Sequence, residues 1–137
     1  VEHSRRVSLG DVHCLRLSYH RHRVCIEGPP SFFALAALRW PTAVHVAFDD
    51  VAAYRITPAL RSPIVAVETA PLPELISANW YQVIAAHQSG LWPGRRPRNA
   101  AAASALAAKR ELCGFNITRA SGGVGWVIGR NFVVVGD

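Results

Sequence analysis

Short runs in which every second residue is apolar recur toward both ends of this chain, the pattern of strands with one buried face. In "DVHCLRLSYHRHRVCIEG", Leu15 and Leu17 alternate on one arm, and Val24 and Ile26 alternate on the other. A turn at His20-Arg21 pairs Leu17 with Val24 and Leu15 with Ile26, which predicts a β-hairpin with its apolar set on one face. Cys14, Arg16, Ser18, Arg23, Cys25 and Glu27 then share the other face. Val44, Val46 and Phe48 alternate up to Asp49-Asp50, and a second run passes through Tyr54 and Ile56. These are two short strands around an Asp-Asp turn, or one strand with a bulge. "SPIVAVETA" adds a further strand. "GFNITRASGGVGWVIGRNFVVVGD" holds three alternating runs, through Phe115 and Ile117, Val124 to Ile128, and Phe132 and Val134. Glycine-bearing turns separate them, so the sequence predicts a C-terminal β-meander.

The middle of the chain changes period. In "PLPELISANWYQVIAAHQSG", Ile76, Trp80, Val83 or Ile84, and His87 recur at helical spacing, with Ser89-Gly90 as the stop. Asn99 is a sound N-cap for a second helix over Ala100 to Leu112, and Gly114 a suitable stop. "GPPSFFALAALRWP" begins with a double proline; Phe32, Phe33, Leu35 and Leu38 suit a short buried helix or an irregular core segment. Strands at both ends with helices between them give an α+β fold. The expected architecture is a mainly antiparallel sheet, made of an N-terminal hairpin, central strands and a C-terminal meander, packed with two main helices. At 137 residues, 1–137 reads as a single domain.

Half of the residues are apolar, which argues against global disorder. No apolar run approaches the ~20 residues that span a bilayer, so no membrane partner is expected. "VEHSRRVSLG" has charges but no apolar stretch behind them, so it does not read as a secretory signal. The chain contains no Met, which leaves an upstream segment open. Cys14, Cys25 and Cys113 are sparse and odd in number, and a cytoplasmic location is expected from them. The formal charge of +6 suggests an anionic partner. Lys109 is the only lysine, an imbalance that GC-rich coding explains as well as selection for arginine chemistry does.

The residues with chemistry to offer divide by what their neighbours allow. "HCLRLSYHRHRVC" is rich in His and Cys, but the hairpin register sends Cys14 and Cys25 to one face and His13 and His22 to the other. Four ligands cannot converge, so no metal and no other cofactor is expected. Cys25, with Arg16 across from it, lacks an assigned acid/base partner. Cys113 lies near a helix C-terminus, which disfavours a thiolate. Asp49-Asp50 reads as turn chemistry rather than paired carboxylates, and "GGVGWVIG" is followed by a strand where a dinucleotide site needs a helix. No catalytic residue is nominated, and the chain reads as a non-enzymatic binding module. Arg95, Arg96 and Arg98 stand before the first turn of the second helix, where cations oppose the helix dipole. With Arg16, Arg21 and Arg23 on the hairpin they form the arginine-bearing surface. The leading expectation is contact with a protein or other anionic partner. A second reading is nucleic-acid binding by the same arginines, with Trp92 stacking on a base. A third is a small enzyme with an apolar pocket near Trp80, His87 and Trp126. If "FVVVG" is a sheet edge, a homodimer through that strand is expected.

The order "FDDVAAYRIT", "SANWYQVIAAHQSG", "CGFNITRASGGVGWVIG" resembles the layout of many small bacterial proteins. Some are immunity-type partners of toxins and others are carried on mobile gene cassettes. The resemblance spans about the last two-thirds of the chain. It implies a compact α+β module that acts by binding, and transfers no catalytic residue. Inhibitors of nuclease toxins in that group are typically acidic; a +6 chain departs from this and suits an acidic partner.

Overall fold

The computed structural model describes residues 6–12, 16–20, 22–28, 44–56, 64–119 and 124–136. Nine strands and three helices lie within them, and every strand pair is antiparallel. In chain order these are β1 (Arg6–Val12), β2 (Arg16–His20), β3 (Arg23–Gly28), β4 (Val44–Asp49), β5 (Ala53–Arg55) and β6 (Ile64–Ala70). Then come α1 (Leu72–Ala78), α2 (Trp80–Gln88), α3 (Ala100–Lys109), β7 (Cys113–Arg119), β8 (Val124–Gly129) and β9 (Asn131–Gly136). The fold is α+β, as the alternation predicts, but the strands form two sheets rather than one. A five-stranded sheet runs β1-β6-β7-β8-β5, and a four-stranded sheet runs β2-β3-β4-β9.

Period-2 alternation explains the layering. Val127 on β8 joins a core that unites the two sheets, whereas its neighbours Trp126 and Ile128 join a second core with the helices. The five-stranded sheet is therefore the middle layer. Between the sheets, Val24, Ile26, Val46 and Phe48 meet Val67, Ile117 and Val127. Phe48 and its cross-strand partner Phe132 face Phe115 of the other sheet, with ring centroids 5.1–5.8 Å apart. Each such ring, fully buried, contributes roughly 1.5–3 kcal/mol. A bulge in β6 brings Ile64 into this core. Ile64 pairs with Arg119 and Ala66 with Thr118, so two steps on β6 match one on β7. Without the extra residue, Ile64 and Val67 would point to opposite faces.

Several expectations need correction. The register of the first hairpin differs from the expected one: Leu17 pairs with Ile26, Tyr19 with Val24 and His20 with Arg23, not Leu17 with Val24. The displacement is an even number of residues, so it keeps the faces. It does put Ser18, not Arg16, opposite Cys25, and Arg16 opposite Glu27. The predicted single helix is broken into α1 and α2 at Asn79 (φ −123°, ψ 36°). The Asn79 side chain donates from Nδ2 to Leu75 O at 2.9 Å, offering the backbone an alternative to helix. The last helix ends at Lys109, three residues early. Gly114 is not its stop: it lies in β7, where a Cβ would come 2.8 Å from Leu75 Cδ2. Cys14, Arg21, Gly122-Gly123 and the stretch from Pro29 to Pro41 lie outside the described residues.

The meander is also corrected: β7 and β8 pair, but β9 leaves them and pairs with β4. The reason lies at one corner. The chain passes from the four-stranded to the five-stranded sheet between β4 and β5, and passes back between β8 and β9. The two crossings run side by side, joined by Ala52 N–H to Ile128 O (2.8 Å) and Arg130 N–H to Asp49 O (2.9 Å). Asp49 pairs with Asn131 and Ala53 with Ile128, so the first strand carries one extra residue at the bend. Asp50 takes it up at φ 51°, a left-handed conformation that Asp tolerates. Gly129 admits the close approach: a Cβ there would lie 2.9 Å from Asp49 O.

Candidate arginine surface and corner groove

The loop between α2 and α3 is held from three sides, and its arginines are what is left over. Gly90 (φ 83°) ends α2: its N–H reaches His87 O, and Leu91 N–H reaches Ala86 O, the paired bonds of a Schellman turn. Trp92 N–H also bonds Ala86 O at 3.1 Å, and its indole is buried. His87 Nε2 lies 3.3 Å from Gly94 O and ties the loop back to the helix. Pro97 is buried. At the far end Asn99 Oδ1 accepts from Ala102 N–H at 2.8 Å, the predicted N-cap. Arg95, Arg96 and Arg98 are exposed, and no described acidic residue pairs with them. The first turn of α3 holds no acidic residue either. Three cations therefore add to the positive end of a helix with no described acidic residue to offset them.

The structure divides the other nominated residues. Trp92 is only 2% exposed and belongs to the helix–sheet core, so it cannot stack on a base; burial of its large apolar ring there is the physical reason. Arg23 is exposed and pairs with Asp49 at 3.4 Å, a surface contact worth about 0–1 kcal/mol. Arg16 occupies β2, and Arg21 lies outside the described residues. Trp80 is half-buried and Trp126 buried, both against the helix–sheet core. His87 is half-buried and engaged with Gly94. Arg119, on β7, is buried. Among the described residues no three His, Cys, Asp or Glu side chains gather where a metal could sit. No helix among them is long and apolar enough to cross a membrane.

Two cavities lie where the sheet corner meets the helix ends. The first, about 340 Å³, is lined by His22, Asp50, Val51, Leu91, Arg110 and Arg130, among others. The second, about 480 Å³, lies against α2 and β5, lined by Tyr54, Gln82, Ala85, Ala86, Ser89 and Leu91. Neither is lined by Trp80, His87 or Trp126. The corner is knitted by Val51 N–H to His22 O at 2.7 Å and by Arg130 to Asp50 at 3.2 Å. α3 also ends there in a Schellman turn, Leu112 N–H to Ala107 O and Glu111 N–H to Ala108 O. Sequence reasoning missed this groove. Arg110 reads as a cation suited to a helix C-terminus, which absorbs it into local structure, and Arg130 reads as hairpin punctuation. Only the sheet switch brings them together.

No family model matches the chain, and neither does any curated protein or solved structure.

Proposed function

We propose that this chain is a non-enzymatic binding module that engages an acidic protein surface through its arginines. One observation carries the reading: Arg95, Arg96 and Arg98 are exposed without described acidic partners at the α3 N-terminus, where they work against the helix. A loop pinned by Trp92, Pro97 and the His87–Gly94 contact holds their backbone in one place, which lowers the ordering cost of binding. The net charge of +6 favours encounter with an acidic partner. A cytoplasmic location is inferred from the sparse, odd set of three cysteines in the sequence. Nucleic acid remains the rival ligand, reading phosphate charge alone since Trp92 supplies no stacking face.

Labelled polyglutamate and mixed single- and double-stranded oligonucleotides, titrated across a salt series, separate the two. The module should bind polyglutamate at low salt at least as tightly as the oligonucleotides. Oligonucleotides bound tenfold more tightly or better would move the assignment to nucleic acid.

A further inference from the structure

The two cavities share Leu91 and follow one stretch of chain: Asp50, Val51 and Ala52 of the β4–β5 crossing line the first, and Tyr54 of β5 the second. The end of α2 forms the opposite wall of both, with Gly90 on the first and Ala85, Ala86 and Ser89 on the second. They are two widenings of one groove. β5 is the last strand of the five-stranded sheet among the described residues, so the groove reaches a sheet edge at its second widening. Small side chains on α2 leave room beside that edge, and Val51, Leu91, Pro93 and Leu112 give the first widening an apolar wall.

The charge is asymmetric. Arg110 is exposed with no described ion pair, and Arg130 lines the same widening; the one acid there, Asp50, already pairs with Arg130. Arg55, exposed and likewise without a described ion pair, follows Tyr54 on the strand. An edge strand facing a helix, apolar in the middle and cationic at its ends, matches the way extended peptides add to sheets: main-chain bonds give affinity and side-chain pockets give selectivity.

We propose that this groove docks an extended, acidic segment of a partner protein, which adds alongside β5 with an apolar side chain at Leu91 and a carboxylate at Arg110 and Arg130. The inference rests on the acidic-partner reading for the sign of the ligand, but uses residues separate from the Arg95–Arg98 loop. A display library of random decapeptides, panned against the full chain, tests it. Enriched peptides should alternate apolar with acidic residues, and should shift the backbone amides of Ala52 to Arg55, Ser89 to Leu91 and Arg110 to Leu112. The Arg110→Glu/Arg130→Glu variant should lose about tenfold or more in affinity. So should Ala85→Glu, at an exposed helix position that lines the groove. Arg95/Arg96/Arg98→Ala should change affinity less than about threefold. No enrichment, or enrichment without acidic preference, overturns the groove. Peptides that shift only the Arg95–Arg98 loop also overturn it while leaving the arginine-loop reading in place.

Discussion

Glu111 shows how a single residue can work against the element it ends. It occupies the position after the α3 cap at φ 60°, where glycine is the usual choice. A left-handed conformation costs a residue with a Cβ about 1–2 kcal/mol. Its negative charge also faces the negative end of the helix dipole. Glycine removes both penalties but has more freedom to lose on folding, roughly 0.4–1 kcal/mol. Glu111→Gly should therefore raise stability by about 0.5–1 kcal/mol, measured as a higher denaturation midpoint at unchanged slope. A fall in the midpoint would mean that Glu111 has a stabilising role the left-handed turn conceals. The arginines present the same case at the other end of the helix: Arg95, Arg96 and Arg98 oppose α3 electrostatically, and replacing them with alanine should leave stability unchanged or slightly raised.

Among the elements, the sheet corner decides the topology. Both crossings depend on Gly129, whose added Cβ would strike backbone rather than a side chain that can swing aside. Gly129→Ala should cost about 2–3 kcal/mol by chemical denaturation; a loss below half a kilocalorie would mean the corner is looser than its hydrogen bonds indicate. The strands other than β1 were legible in the sequence because alternation encodes which residues share a face, and Val24, Ile26, Val46 and Phe48 are all fully buried; β1 (Arg6–Val12) was not foreseen. Their assignment to sheets was not legible. Gly129-Arg130-Asn131 carries the same turn chemistry whether β9 folds back on β8 or crosses to β4, and only the partner strand distinguishes them. The break at Asn79 was hidden for a related reason: the apolar stripe continues through it, while the deciding bond is made by one polar side chain. Of the site, the exposed arginine loop was readable from dipole sign, whereas the groove depended on the corner and went unseen. Trp92 was misassigned because proximity to arginines says nothing about the direction a loop side chain takes.

For the whole molecule, the five-stranded sheet is covered on both faces by the two cores, which leaves loops, edges and the outer face of the four-stranded sheet for recognition. β9 closes the four-stranded sheet among the described residues, and Val133 on it is 44% exposed. Edges of this kind invite pairing, so a homodimer is expected at micromolar concentration; a monomer by light scattering would contradict strand pairing there. Charge is the other molecular-scale property, since a net +6 steers the chain toward acidic surfaces over distances of about a Debye length. Whether that attraction is focused by the pinned loop is the central question. The most direct measurement is the salt dependence of polyglutamate binding for the wild-type chain beside Arg95/Arg96/Arg98→Ala. Binding should weaken steeply with salt, and the slope of log affinity against log salt should fall by roughly two in the variant, as three contacts with a flexible polyanion are lost. An unchanged slope would contradict the loop as the contact surface and leave the arginines as solvated charge.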